Sequence, residues 1–129
     1  MIGRALLFLV SAGAAAAALA HHSFQAQYDA DKPIELTGTV TELQWTNPHA
    51  RLYIDVKGED GTVVNWDLEL GPPTTLMRQG WRRDSLQPGT VVTVSGFLSR
   101  DEEHLANART VKLSDGRQVF AGSSFDTSE

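Results

Sequence analysis

The chain has 129 residues, of which 41% are hydrophobic and 21% are charged, and its formal net charge is −5. This composition is typical of one small globular domain and argues against a disordered chain or a multi-domain enzyme. The absence of cysteine excludes disulfides, Cys-ligated metal sites and thiol nucleophiles, and the acidic balance argues against a nucleic-acid partner.

The first twenty residues have the organisation of a secretory signal peptide. Arg4 provides the positive charge, an uncharged apolar run follows, and Ala18-Leu19-Ala20 has the small residues of a cleavage site. The run from Ala5 to Ala20 is shorter than the roughly 20 apolar residues that a spanning helix needs. We therefore predict a signal peptide over residues 1–20, cleavage after Ala20, a periplasmic or secreted protein, and no membrane span after processing.

The mature chain would begin with a segment that has no sustained strand or helix periodicity. We predict that residues 21–33 form an N-terminal arm, with Phe24 and Tyr28 pinning it to the domain. At the other end, residues 122–129 have the composition of a polar tail. The folded domain itself is thus expected over residues 34–121.

Alternating apolar residues predict three strands in the first half of this domain. The first begins at Ile34 and changes phase after Val40, which indicates a bulge just beyond that residue. The second covers residues 51–56 and the third covers residues 64–70. The glycine-containing turn between them predicts a hairpin.

The second half of the domain contains a helix and two more strands. We predict a short helix over residues 74–79, a fourth strand over residues 92–98 and a fifth over residues 108–113. This order predicts an all-β domain with one short helix, a five-stranded OB-fold-like Greek-key barrel. In that fold the loops between strands 1 and 2 and between strands 4 and 5 flank the binding face, and here they carry His49 and His104.

Short motifs are spread over the whole mature chain. They are His21-His22-Ser23-Phe24, Trp45-Thr46-Asn47-Pro48-His49-Ala50, Leu68-Glu69-Leu70-Gly71, Gly80-Trp81, Arg83-Asp84-Ser85-Leu86, Asn107-Ala108-Arg109 and Asp115-Gly116-Arg117. Together they resemble a family of small secreted bacterial proteins of unknown function. The resemblance implies a periplasmic or secreted setting and a β-barrel-like domain, and it singles out the two N-terminal histidines and the loop that contains His49. It carries no established activity.

The mature N-terminus predicts a copper site. After cleavage at Ala20, His21 would supply a free α-amine and an imidazole, which together chelate Cu(II). His49 in its loop is the best third nitrogen donor, with His22 or His104 as substitutes. Cleavage two residues earlier would place His21 third in the chain, where amine, backbone amides and imidazole form a square plane for Cu(II) or Ni(II). In the alternative interpretation, the N-terminal histidines are polar residues that happen to follow a cleavage site.

A different class of function fits the same loops. A face that binds a partner protein or a small organic ligand without a metal would use Trp45, Asn47, Trp81, Arg82 and His104. His49 also has a structural interpretation, in which it holds its loop with one hydrogen bond. The sequence contains no nucleophile elbow, phosphate loop or His-Glu-x-x-His motif. No catalytic residue is therefore assigned, and a binding module is favoured over an enzyme.

Overall fold

The computed structural model describes residues 24–122 of the chain. This part contains six strands, which are β1 (Tyr28–Gln44), β2 (Arg51–Lys57), β3 (Val63–Glu69), β4 (Val91–Ser99), β5 (Leu105–Leu113) and β6 (Gln118–Phe120). One short helix covers Pro73–Arg78 between β3 and β4. A helical turn over residues 24–27 precedes β1.

Five of the described strands pair in a closed ring. β1 pairs antiparallel with both β2 and β4, β2 pairs with β3, and β4 pairs with β5. The ring is completed by β3 and β5, which run parallel in a register from Asp67↔Leu105 to Glu69↔Asn107. β6 pairs with β5 at the edge of the sheet. The all-β prediction is confirmed, and the order of pairing fits the Greek-key arrangement predicted from the sequence.

β1 is long because it pairs with two neighbours. Its first part pairs with β4 and its last part with β2, and Thr39 has a partner in both. Gly38 lies at this crossing, where a Cβ would come within 2.5 Å of the carbonyl oxygen of Asp55, and glycine is therefore required. The register shifts between Val40 and Glu42, which confirms the bulge predicted there.

The core is built from the inward side chains of the ring. Alternate residues of β2 and β3 enter it, so Leu52 and Leu68 are fully buried while their neighbours in sequence face the other way. The helix Pro73–Arg78 adds Leu76, and the turn after it adds Trp81. Each such side chain contributes roughly 1.5–3 kcal/mol when it is fully buried. The ring and the helix therefore share one hydrophobic core.

The structure differs from the sequence prediction at the N-terminal end. β1 begins at Tyr28, so residues 28–33 of the predicted arm are part of the strand, and Tyr28 pairs with Ser99 of β4. The helical turn over residues 24–27 also adds a second helical segment to the one that was predicted. Hydrophobic periodicity did not reveal this part of the strand because the residues after Tyr28 are mostly polar and do not alternate.

The ends of the chain are not part of the described structure. The predicted signal peptide, the histidines His21 and His22, and all but the first residue of the predicted polar tail lie outside the described residues. Within residues 24–122, no helix is both long enough and apolar enough to cross a membrane.

Candidate functional site

A polar cluster lies on the outer side of β2 and β3. Leu68 enters the core, so Asp67 and Glu69 on either side of it face outward. Glu69 is nevertheless only 9% exposed. A carboxylate is rarely buried to this extent unless other groups pair with it. The partners of Glu69 therefore define the site.

Tyr28, at the start of β1, covers Glu69. Its hydroxyl donates a hydrogen bond of 2.8 Å to Oε2 of Glu69, and the tyrosine is 1% exposed. Burial, and then the negative charge of Glu69, raise the pKa of Tyr28 far above its ordinary value. The phenol therefore stays a neutral donor at physiological pH and fixes one oxygen of the carboxylate.

Arg51 is the cation of the cluster. It is the cross-strand neighbour of Glu69, its Nη1 donates a 2.8 Å hydrogen bond to Oδ1 of Asp67, and its Nη2 lies 3.6 Å from Oε2 of Glu69. Partial burial alone would lower the pKa of Arg51, but the hydrogen bond and charge of Asp67 and the charge of Glu69 outweigh it and raise the pKa. One guanidinium against two carboxylates leaves an excess of negative charge, which attracts a cation.

The loop between β1 and β2 adds His49. Its Nδ1 lies 3.9 Å from Oε1 of Glu69, the oxygen that Tyr28 does not bond, and its side chain is 32% exposed. The hydroxyl of Thr46 donates a 3.3 Å hydrogen bond to the His49 carbonyl, and the next residue, Ala50, is buried. The two ring nitrogens of an imidazole point in different directions. Nε2 of His49 therefore points away from Glu69.

The first described residues are held on this same face. Phe24 packs against Tyr28 with ring centroids 5.5 Å apart, and it meets the ring of Phe97 edge-on at 6.4 Å. Phe24 and Tyr28, which were predicted to pin the N-terminal segment to the domain, therefore contact each other, and Phe24 also contacts β4. His21 is three residues before Phe24 in the chain, and His22 is two residues before it.

Asn107 is a buried amide beside Glu69. It pairs with Glu69 in the parallel ladder between β3 and β5, and with Phe97 in the ladder between β5 and β4. The residue is 2% exposed, and its Nδ2 has no hydrogen-bond partner among the described residues. An unpartnered buried donor costs roughly 1–3 kcal/mol. Nδ2 therefore marks a place where a further acceptor is expected.

The residues that the sequence predicts for a ligand-binding face differ in their exposure. Trp45 is half-buried and packs against the core, and Asn47 is exposed in its loop, followed by a cis peptide bond to proline. Trp81 is 2% exposed and belongs to the core. Arg82 is exposed and its Nη1 donates to the carbonyl of Trp81.

The side chain of His104 lies away from the polar cluster, although its backbone carbonyl accepts a 2.9 Å hydrogen bond from the amide of Asp67. It is exposed in the loop between β4 and β5, with a positive φ of 57°, and its ring meets Trp66 edge-on at 5.3 Å. Trp66 is in phase with Leu68, so it is on the opposite side of β3 from Glu69. Within residues 24–122, no group of three or more His, Cys, Asp or Glu is placed to hold a metal ion.

The sequence reasoning did not identify Tyr28, Arg51, Glu69 and Asn107 as site residues. Each occupies an ordinary position in a strand or a polar segment, and they meet because β3 pairs in parallel with β5 and because the start of β1 covers β3. The available signal was the presence of two aromatic residues, Phe24 and Tyr28, in a segment that is otherwise polar. Aromatic side chains in such a segment need a surface on which to pack.

Comparison with known proteins identifies one protein-family model. It matches residues 8–107, and its description is a family of unknown function, DUF6152. No curated protein matches the chain, and no solved structure matches it either. The matched range includes the loop with His49 and extends to Asn107, so the whole polar cluster lies within it.

Proposed function

Since the chain belongs to this family of unknown function, membership supplies no activity, and we propose from the site geometry that the protein is a secreted or periplasmic module that binds Cu(II). The α-amine and imidazole of His21 chelate the metal, and Nε2 of His49 is the third donor. The observation that carries this proposal is the position of Nδ1 of His49, 3.9 Å from Oε1 of the buried Glu69.

In metal sites a histidine ligand commonly faces a carboxylate, as His49 faces Glu69. Such a residue turns one ring nitrogen to a carboxylate, a carbonyl or water, which fixes its tautomer and raises the basicity of the nitrogen that binds the metal. Here the carboxylate of Glu69 is itself held by Tyr28 and Arg51. The excess negative charge of the cluster adds an attraction for a divalent cation.

The packing of the first described residues supports the participation of His21. Phe24 contacts Tyr28, Tyr28 bonds Glu69, and Glu69 faces His49. His21 is three residues before Phe24, and three extended residues span about 10 Å at most. Phe24 and His49 are therefore connected by a short series of contacts on one face.

A Cu(II) titration of the protein secreted with its own leader tests the proposal, with the intact mass read on the same sample. We expect a mass that begins at His21, tight one-to-one binding, and loss of that binding when one residue is added before His21. His49→Asn is expected to weaken binding by more than about tenfold, because it removes a nitrogen donor. The matched control is His104→Asn, since Asn tolerates the positive φ at that position.

Three results would contradict the proposal. A mature chain that begins elsewhere would remove the His21 amine from the site. Equal binding by the native and the extended forms would assign the copper to other groups. A loss on His104→Asn as large as that on His49→Asn would mean that exposed histidines contribute without a defined site. Each result would remove the site formed by His21 and His49, and a module for a protein or small organic ligand would become the working interpretation.

A further inference from the structure

A basic patch lies after β3, at the end of the helix Pro73–Arg78 and in the turn that follows it. It consists of Arg78, Arg82 and Arg83, which are all exposed. The chain has 16 acidic residues against 11 basic ones. Within residues 24–122, however, none of these three arginines is ion-paired, with the adjacent Asp84 or with any other carboxylate. Three unpaired guanidinium groups produce a local positive potential, which attracts a negatively charged partner.

Core residues hold the backbone of this basic patch in place. Leu76 and Trp81 are buried, and the amide of Trp81 donates a 3.0 Å hydrogen bond to the carbonyl of Leu76. The chain between them turns at Gly80, whose φ of 95° is in the region that favours glycine. The amide of Arg82 donates a 2.7 Å hydrogen bond to Oγ of Ser85, and Nη1 of Arg82 donates to the carbonyl of Trp81. The arginines are therefore carried by a backbone that is anchored in the core.

Met77 adds an apolar side chain to the basic patch. It is 48% exposed, and together with Thr74, Arg78 and Arg82 it lines a shallow hollow that is open to solvent. Segments that lie on membrane surfaces combine these features, because apolar side chains enter the headgroup region while basic side chains are attracted to anionic lipids. A free phosphate ion would gain nothing from Met77, and an open hollow encloses little of an acidic peptide. The combination therefore favours an anionic membrane surface as the partner.

We propose that the basic patch and Met77 attach this protein to the surface of an anionic lipid membrane. Met77 enters the headgroup region, and the three arginines face the lipid phosphates. The net charge of −5 opposes the approach of the chain as a whole, so this patch is the side that meets the membrane. Each arginine near an anionic surface strengthens binding about fivefold, and three strengthen it by about 100-fold. The patch uses no residue of the polar cluster, so this inference does not rest on the proposed function.

Vesicle flotation tests the attachment, with a chelator present so that the result does not depend on a bound metal. The protein is expected to float with vesicles of equal parts phosphatidylglycerol and phosphatidylcholine, and to stay in solution with phosphatidylcholine alone. The triple variant Arg78→Gln, Arg82→Gln and Arg83→Gln is expected to bind the anionic vesicles about 100-fold more weakly. If circular dichroism shows that it does not fold, Arg78→Gln with Arg83→Gln keeps the hydrogen bond of Arg82 and is expected to bind about 30-fold more weakly.

The matched control removes the same amount of positive charge elsewhere on the surface. It changes three exposed lysines, one on each of β1, β2 and β5, and its substitutions are Lys32→Gln, Lys57→Gln and Lys112→Gln. Because salt screens charges that are far from the membrane, this variant is expected to bind within about threefold of the native protein.

Met77→Ser tests the apolar contact without a change of charge. It is expected to weaken binding to the anionic vesicles by about threefold to tenfold, because the exposed part of the methionine is no longer buried in the headgroup region. Native binding in Met77→Ser, together with displacement of the native protein by inorganic phosphate, would mean that the patch binds a single anionic group and would overturn the membrane attachment. Equal losses in the arginine and the lysine variants would overturn it as well. No flotation of the native protein with anionic vesicles would overturn it in favour of an acidic peptide.

Discussion

The change Tyr28→Phe removes one oxygen atom from the polar cluster and keeps the aromatic ring in place. That oxygen donates the 2.8 Å hydrogen bond to Oε2 of Glu69, a residue 41 positions away in the sequence. The two residues are 1% and 9% exposed, so water is poorly placed to replace the lost donor. After the change, Oε2 of Glu69 keeps its ion pair with Nη2 of Arg51, at 3.6 Å.

The size of the effect follows from the charge on the acceptor. A hydrogen bond to a charged group contributes roughly 1.5–3 kcal/mol to stability. Because Arg51 still neutralises part of the charge on Glu69, we expect a loss of about 2 kcal/mol in the free energy of unfolding. For a domain of this size the Tm is then expected to fall by roughly 10 °C. The ring of residue 28 keeps its contact with Phe24. The loss in the free energy of unfolding therefore measures the contribution of the hydroxyl alone.

Urea unfolding followed by tryptophan fluorescence measures this loss, with Tyr53→Phe as the matched control. Tyr53 is half-exposed on β2, and removal of its hydroxyl is expected to change the free energy of unfolding by less than about 0.5 kcal/mol. Equal losses in the two variants would refute the reasoning, because the bond to Glu69 would then contribute nothing to holding the start of β1.

Gly96→Ala is expected to prevent folding or to cost more than about 3 kcal/mol, because a Cβ there would overlap the backbone carbonyl oxygen of Asn107; circular dichroism and urea unfolding check this. Leu68→Ala is expected to lower the free energy of unfolding by about 2–5 kcal/mol, because it leaves a cavity in the core. Unchanged stability in the same assay would contradict the burial of Leu68 in the core. Burial and Glu69 raise the pKa of Tyr28 in the folded state, so the stability it contributes is complete below about pH 10 and is lost as the pH rises further. Urea unfolding from about pH 8 to 11 should show this loss of stability in the native protein and a smaller loss in Tyr28→Phe. Equal losses in the two proteins would mean that the loss does not come from Tyr28.

The hydrophobic pattern of the sequence was sufficient to predict the strands that bury one face. The strands predicted over residues 51–56 and 64–70 correspond to β2 (Arg51–Lys57) and β3 (Val63–Glu69), and their hairpin is confirmed. In such strands one side faces the core and the other does not. The alternation of apolar and polar residues therefore indicates which side chains face the core. The position of His49 in the loop between β1 and β2 follows from the ends of these two strands.

Alternation of apolar and polar residues does not predict a strand that is covered on both of its faces. β5 begins at Leu105, three residues before its predicted start at Ala108, and all of its first four residues are buried. Asn107 and Glu69 are polar residues on the outward side of their strands that are buried all the same. Tyr28, which covers Glu69, is 41 residues away from it in the chain. No local pattern encodes a contact over that separation, and so the polar cluster emerged only with the tertiary structure.

The composition of the cluster is itself an argument about its role. Taking Glu69 and Arg51 out of water is costly, and replacing a buried ion pair by apolar side chains is often neutral or stabilising. An apolar residue in place of Glu69 would also give Tyr28 a surface on which to pack. Stability alone therefore does not account for a carboxylate at this position. The orientation of His49 in the proposed site would account for it, because the hydrogen bond from Tyr28 and the ion pair with Arg51 hold Oε2 of Glu69, while Oε1 lies on the side of Nδ1 of the imidazole.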